Sequence, residues 1–387
     1  MQVVYAQELA PEKFTKSIFL AGPTPRSPEV SSWRKEALRI LEENEYDGVV
    51  FVPEDQTDKW AHSYIDQVEW EKECLNMSDV ILFWIPRELS TLPGFTTNVE
   101  FGLYVKSGRV VLGHPIAAPK TQYLDKVFED NGGKEVYFTL EETVRYAMHR
   151  CGDRGHTRRG GERYIPMHIW KHRHFRDWYA QMKRNGNRLD WAEVQWVFYV
   201  NNGAFPFAWA IHVDIWVEAE NRRKSNEFIL SRPDITSIVL YQKPQGAWDD
   251  FKIVCIKEFR STVRNPDGMV IEVAGGSSFK EGMQNVAIAE IKEETGLDIH
   301  PDRLQKVESR QPLATFSTHH SHLYRVELQP DEMAWVEKQA KNGTSFGNTH
   351  ESEQTYLAVY SLHNLLSDPV SVDYATLGMI FAAITIP

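Results

Sequence analysis

Apolar and polar positions along the first 150 residues follow two periods in turn. Short apolar runs have the length and composition of buried strands. They cover residues 17–21, 48–52, 79–85 and 109–113. Between and after these runs, apolar residues recur at the spacing of one helix face. The helical segments cover residues 28–41, 64–76, 99–106 and 141–150. Strands that alternate with helices predict an α/β domain in which helices cover both faces of a parallel, Rossmann-like sheet.

The pattern changes after residue 150. Residues 151–204 carry glycines among arginines and then a helical stretch rich in His, Trp and Arg, which we interpret as a basic, aromatic-rich linker. Strand-like runs return beyond it and lead into a further helix. These runs cover residues 208–217, 227–231, 235–241 and 251–256. We therefore expect a second domain over residues 205–387, after a first domain over residues 1–150.

The composition is that of an ordinary soluble protein, 42% hydrophobic and 25% charged. No apolar run approaches the roughly 20 residues that a membrane span needs, and the first residues lack the order of a secretion signal. Three widely separated cysteines indicate neither a disulfide framework nor a zinc site, so we expect a cytoplasmic protein. A net charge of −11 argues against a protein that coats nucleic acid. The basic stretch from 150 to 188 keeps nucleic-acid binding as an alternative.

Three carboxylates lie close together in the stretch GGSSFKEGMQNVAIAEIKEETGL, which covers residues 275–297. Glu290, Glu293 and Glu294 have the i, i+3, i+4 spacing that places side chains on one face of a helix. Carboxylate oxygens suit a hard divalent cation, Mg²⁺ or Mn²⁺. Gly296 stands where a helix often ends in a residue of positive φ. A solvated helix face is the alternative interpretation of such a charge run.

The fixed positions of this stretch resemble the Nudix box, and the preceding residues 227–276 resemble the ADP-ribose pyrophosphatase branch of that family. Ala289 stands where the box carries Arg. The resemblance implies that the second domain has the α+β Nudix fold, with a mixed sheet and the Nudix helix. It also implies hydrolysis of a nucleoside-diphosphate-linked substrate with Mg²⁺. It implies specific roles for several residues. The expected metal ligands are the Gly275 carbonyl, Glu290, Glu293 and Glu294, and Glu294 is also expected to be catalytic. Glu353, in the loop 341–354, is a candidate general base. Arg260 and Arg264 are candidates to bind substrate.

A second group of residues follows the strands predicted in the first domain. Gly22, Pro23 and Arg26 come after the first strand, Glu71 lies in a helix, and Asn98 and Glu100 precede or open another helix. This set resembles the nucleoside 2-deoxyribosyltransferase-like superfamily. By that resemblance Glu100 attacks the anomeric carbon and Glu71 handles the sugar or the leaving base. Gly22, Pro23, Arg26 and Asn98 are implied to bind substrate. The alternative role of Glu100 is a capping box with Thr97.

The two resemblances together predict a bifunctional enzyme of nucleotide metabolism. The first domain is expected to cleave or transfer at an N-glycosidic bond, with NAD as one candidate substrate. The second is expected to hydrolyse the diphosphate of a product such as ADP-ribose. In the opposite order, the second domain releases a monophosphate from a nucleoside triphosphate and the first removes its base. A nucleotide sensor in which one domain no longer turns over its ligand is a third hypothesis. Both families commonly form dimers, so a homodimer without membrane partners is expected.

Overall fold

The computed structural model describes residues 1–25, 29–56, 64–152, 155–200, 205–277, 282–347, 353–368 and 371–386, apart from the side chain of Asp249. The chain divides into two compact units, Met1–Ser231 and Arg232–Pro387. Within these ranges, no helix is long and apolar enough to cross a membrane.

The first unit begins with alternating strands and helices, as the hydrophobic pattern predicts. Its strands are β1 Gln2–Tyr5, β2 Lys13–Phe14, β3 Ser17–Ala21, β4 Val49–Val52, β5 Val80–Trp84 and β6 Val110–Gly113. Its helices are α1 Arg34–Glu43, α2 Tyr64–Met77, α3 Phe95–Tyr104, α4 Gln122–Asp130 and α5 Leu140–Cys151. All strands except β2 form one parallel sheet in the order β1-β4-β3-β5-β6. The Rossmann-like fold class is therefore confirmed.

Apolar side chains alternate between the two faces of this sheet and build a core on each. Phe19, Phe51 and Phe83 are fully buried on one face with residues of α2, α3 and α4. Ile18 and Leu82 are buried on the other face, beneath α1 and α5. Each central strand of the sheet is buried on both faces. The sequence of such a strand is therefore a continuous apolar run, without alternation of apolar and polar residues.

The remainder of the first unit differs from the expected linker. It contains β7 Arg158–Arg159, α6 Met167–Trp170, α7 Arg173–Arg184, β8 Arg188–Val200, β9 Phe205–Val217 and β10 Arg222–Ser231. The last three strands form an antiparallel sheet. Arg158 attaches this region to the parallel sheet, since its guanidinium donates to both carboxylate oxygens of Asp79 at 2.5 and 2.8 Å, with both side chains buried. Residues 155–200 thus belong to a packed unit, and the unit ends at Ser231 rather than near 204.

The second unit is built around a mixed sheet, which confirms the expected α+β class. Its strands are β11 Ile235–Gln242, β12 Lys252–Phe259, β13 Met269–Glu272, β14 Ala274–Ser277, β15 Gln305–Arg310, β16 Ser321–Glu327, β17 Ser345–Phe346 and β18 Thr355–Ser361. Its helices are α8 Met283–Thr295, α9 Pro330–Asn342, α10 Leu362–Ser367 and α11 Tyr374–Thr385. Only the pair β11 and β16 is parallel among the described strand pairs of this sheet.

Helix α8 is the element that the carboxylate spacing predicts. Ala287 and Ile291 are completely buried and pack with Ile238 and Leu240 of β11. The helix ends at Thr295, and Gly296 follows with a φ of +70°, the left-handed conformation expected there.

Candidate active sites

A cavity of about 600 Å³ lies in the first unit, at the carboxyl ends of the strands. Gly22 and Thr24 follow β3, Pro53 and Asp55 follow β4, and all four line this cavity. Helices α2 and α3 supply the opposite wall. The lining residues from these helices include Gln67, Glu71, Lys72, Thr96, Glu100 and Tyr104. The location is the one at which parallel sheets of this type bind their ligands.

Glu100 lies within helix α3 rather than at its start. The helix begins at Phe95, four residues earlier than the hydrophobic pattern predicts, because Gly94 adopts a φ of +65° and serves as the N-cap. No side chain caps this end. The capping box expected as the alternative role of Glu100 is therefore absent, and its carboxyl group lines the cavity instead.

Glu100 and Glu71 form a side-chain hydrogen bond to each other. Burial, followed by the negative charge of Glu71, raises the pKa of Glu100 to about 8. Burial also raises the pKa of Glu71 above its ordinary value, while a hydrogen bond from Gln67 acts in the opposite direction. Two carboxyl groups in contact cannot both ionise readily, so the pair retains one proton near neutral pH.

Arg34 holds the loops on the strand side of the cavity. Its guanidinium donates to the carbonyl oxygens of Leu20 and Gly22 at 3.0 and 2.7 Å, and to Oε1 of Glu54 at 2.6 Å. Arg34 is almost completely buried, and its charge favours ionisation of both Glu71 and Glu100. Gly22 itself has a φ of +153°, and a Cβ there would lie 2.2 Å from the backbone oxygen of Trp84.

The structure brings Gly22, Glu71 and Glu100 together, but places the other predicted residues differently. The carbonyl of Pro23 accepts a hydrogen bond from the indole of Trp33. Asn98 accepts one from Arg87 and is absent from the described lining of the cavity. Arg26 lies outside the described residues. Sequence reasoning missed Arg34 and Gln67, although the helical spacing of Gln67 and Glu71, one turn apart, is a signal that could have found Gln67.

One proton shared by two carboxyl groups gives this cavity both members of an acid and base pair. The ionised carboxylate can attack or stabilise an electron-poor carbon, and the protonated group can donate to a leaving atom. Such a pair suits cleavage of a glycosidic bond, where positive charge develops at the anomeric carbon.

The second unit contains a second cluster of carboxylates, on α8 and the strands beneath it. Glu294 is 5% exposed, and its Oε2 accepts a hydrogen bond of 2.8 Å from the backbone N–H of Gly275. Burial raises the pKa of Glu294 to about 9, and the nearby charges of Glu290, Glu353 and Glu258 contribute to this rise. Oxygen donors that repel one another in this way are typical of a site for a hard cation.

The other predicted ligands of this cluster are placed unequally. Glu290 reaches the backbone of Gly276, where an added Cβ would lie 2.1 Å from its Oε1. Glu293, by contrast, is exposed on α8. In the described ranges, no three His, Cys, Asp or Glu side chains converge closely enough to bind a metal. The donor chemistry of Glu290, Glu294 and Glu353 fits Mg²⁺, and the described geometry does not assemble a complete site.

The two candidate arginines also differ. Arg260 forms ion pairs of 2.9 Å with both Glu258 and Glu272, so part of its charge is compensated within the protein. Arg264 is exposed. Only Arg260 is thus connected to the carboxylate cluster, through Glu258.

Comparison with known proteins bears on the first unit. Residues 15–116 match the family model described as "Nucleoside 2-deoxyribosyltransferase like". The matched region contains β3 to β6 and, with them, Gly22, Glu71 and Glu100. The first unit therefore contains a nucleoside 2-deoxyribosyltransferase-like domain, in agreement with the resemblance of its motifs.

Comparisons with curated proteins and with solved structures do not identify an activity. No curated protein matches the chain. A crystal structure of an ADP compounds hydrolase is 14% identical, with a TM-score of 0.36, over 51% of this chain and 91% of that one. A likeness at this level does not identify the activity of either unit.

Proposed function

We propose that the first unit cleaves the N-glycosidic bond of a nucleoside or nucleotide, with Glu100 as the nucleophile and Glu71 as the acid. The hydrogen-bonded pair of Glu71 and Glu100 in the cavity is the observation that carries this proposal. The family match over residues 15–116 supports it independently.

In the proposed reaction, the ionised Glu100 attacks C1′ of the sugar while the C1′–N bond breaks. The electron pair of that bond passes to the nitrogen of the base, and Glu71 supplies the proton that neutralises it. The glycosyl group is then carried on Glu100. Glu71, now ionised, removes a proton from the incoming molecule, whose oxygen or nitrogen atom attacks C1′ and releases Glu100. Water as the incoming group gives hydrolysis, and a second nucleobase, attacking through nitrogen, gives transfer.

For the second unit we propose Mg²⁺-dependent hydrolysis of a nucleoside-diphosphate-linked substrate such as ADP-ribose. Glu290, Glu294 and the Gly275 carbonyl would hold the ion, with Glu353 as candidate base. When bound, Mg²⁺ neutralises diphosphate oxygens and activates water. The buried, mutually repelling carboxylates around Glu294 support this proposal, and the sequence resemblance to the Nudix box supplies the substrate class.

The two proposed activities make sense in one chain if the product of one is the substrate of the other. Removal of nicotinamide from NAD would leave ADP-ribose for the second unit. In the opposite order, the second unit would supply a nucleoside monophosphate to the first. Ala289, at the box position of an arginine, favours the further possibility that the second unit binds a nucleotide as a sensor without turnover.

Product analysis with the full chain tests these proposals. Wild type, Glu100→Gln and Glu294→Gln would each be incubated with NAD, ADP-ribose, and deoxynucleoside mono- and triphosphates, and the products separated by chromatography. We expect Glu100→Gln to abolish release of free base while phosphoanhydride cleavage persists. Glu294→Gln should give the reverse pattern. Glu69→Gln, an exposed position on α2 outside the cavity lining, serves as the matched control.

Retention of both activities in both variants would contradict both site assignments. Stabilisation of the wild type by Mg²⁺ and ADP-ribose without any product would favour the sensor for the second unit.

A further inference from the structure

Gln67 is a cavity residue to which neither the motifs nor the proposed reaction assigns a role. It lies on α2 one turn before Glu71, and its side-chain amide donates a hydrogen bond of 2.7 Å to Oε1 of Glu71. Within the described residues, Glu71 is the only side chain that forms a hydrogen bond with the Glu100 carboxyl group. The carboxyl pair is therefore asymmetric, with an amide donor on one member only.

We propose that Gln67 positions Glu71 as the ionised member of the pair, so that the shared proton resides on Glu100 in the free enzyme. An amide N–H stabilises a carboxylate more than a neutral carboxylic acid, because the ionised oxygen is the stronger acceptor. The positive charge of Arg34 favours ionisation of both members, whereas the amide of Gln67 donates to Glu71 alone. Gln67 is thus the feature that breaks the symmetry.

The proposal, which rests on the proposed glycosidic cleavage, adds one step to the reaction. Glu100 must give up its proton before it can attack C1′, and the hydrogen bond between the two carboxyl groups provides the path. The proton moves from Glu100 to Glu71, which then delivers it to the leaving base. Gln67 is in this sense a positioning residue, which acts on the reaction through Glu71.

The location of the proton decides which limb of a pH profile responds to loss of Gln67. If Glu71 is ionised in the singly protonated pair, the amide stabilises that form relative to the doubly protonated one. It then stabilises the singly protonated and the fully ionised pair equally. Loss of the amide would raise the lower of the two pKa values and leave the upper one unchanged. If the proton instead resided on Glu71, the upper pKa would rise and the lower would stay.

The test is the pH dependence of kcat/KM for base release by the full chain, which reports the ionisations of the free enzyme. Gln67→Met keeps the length of the side chain and removes the amide. We expect its acidic limb to move up by about one pH unit, a tenfold change in proton affinity, while the alkaline limb remains in place. Asp66→Asn, at the adjacent exposed position outside the cavity lining, is the control and should leave both limbs unchanged.

Infrared titration follows the protonated carboxyl groups in the absence of substrate. The contribution of the pair is identified by comparing the titration curve of the wild type with that of Glu100→Gln. The same upward shift of the lower pKa is expected in Gln67→Met. Movement of the upper pKa instead, or of neither, would overturn the assignment of the proton to Glu100. An inactive wild type that shows the expected infrared shift would refute the glycosidic reaction and leave the proton assignment standing, so the two failures are distinguishable.

Discussion

Glu294→Gln should make the stability of the second unit less sensitive to alkaline pH. Burial, with the charges of Glu290, Glu353 and Glu258, raises the pKa of Glu294 from 4.5 to about 9. Between these values the folded protein keeps a proton that the unfolded chain has lost. Because the folded state then binds more protons, the free energy of unfolding falls as pH rises, by about 1.4 kcal/mol per pH unit. The stabilisation is complete below pH 4.5 and is lost as pH passes through about 9.

The expected magnitude is large enough to measure. From pH 5.5 to 8.5, the free energy of unfolding of the wild type should fall by roughly 4 kcal/mol relative to that of Glu294→Gln. Glutamine has the same shape, cannot ionise, and retains an oxygen that can accept the N–H of Gly275. The two proteins should therefore be similar in stability at pH 5.5 and the variant should be the more stable at pH 8.5.

Pulse proteolysis of the full chain across a urea series, with peptides from residues 232–387 quantified by mass spectrometry, measures unfolding of the second unit. Chelator is present throughout. Glu293→Gln, an exposed position on the same helix, is the control and should follow the wild type. Parallel pH curves for wild type and Glu294→Gln would refute the reasoning. In a separate series without chelator, Mg²⁺ at pH 8.5 should stabilise the wild type more than Glu294→Gln if the cation compensates the ionised Glu294.

Three further predictions concern the first unit. Base release should decline at alkaline pH, near 8, where the pair of Glu71 and Glu100 loses its last proton. In an infrared titration, Glu71→Gln should lower the pKa of Glu100 because it removes the neighbouring negative charge; an unchanged pKa would show that the two groups do not interact. Arg158→Met should lower the free energy of unfolding by about 3–5 kcal/mol in a denaturant titration, because it leaves Asp79 buried without its ion-pair partner. A decrease of less than about 1 kcal/mol would contradict this role of Arg158. Gly22→Ala should lower both the melting temperature and base release, because its Cβ would lie 2.2 Å from a backbone oxygen; an unchanged melting temperature would refute the packing argument.

Local patterns in the sequence predicted most of the elements around the first cavity. The run Ser17–Ala21 is a strand with the predicted bounds, and α2 differs from prediction by one residue at its end. The start of α3 was predicted too late. Position 94 needs a left-handed φ before a helix can begin there, and apolar spacing alone does not reveal that requirement.

Contacts between distant segments were beyond the reach of these patterns. Arg158 lies in a stretch whose glycines and arginines resemble a linker, yet it pairs with Asp79, 79 positions earlier in the chain. Likewise, the motifs identified Glu71 and Glu100 individually, whereas their mutual hydrogen bond depends on how two helices approach one another. Local sequence carries the residue types at a site, and packing decides which of them meet.

The role of Glu100 is tested most directly by mass spectrometry of the full chain after brief reaction and acid quench. The substrate is whichever compound of the nucleotide panel loses its base to the wild type. We predict an increase in mass equal to the glycosyl group, located on the peptide that contains Glu100 and absent from Glu100→Gln. Undiminished base release by Glu100→Gln, or a glycosyl group attached to a different residue, would contradict the account.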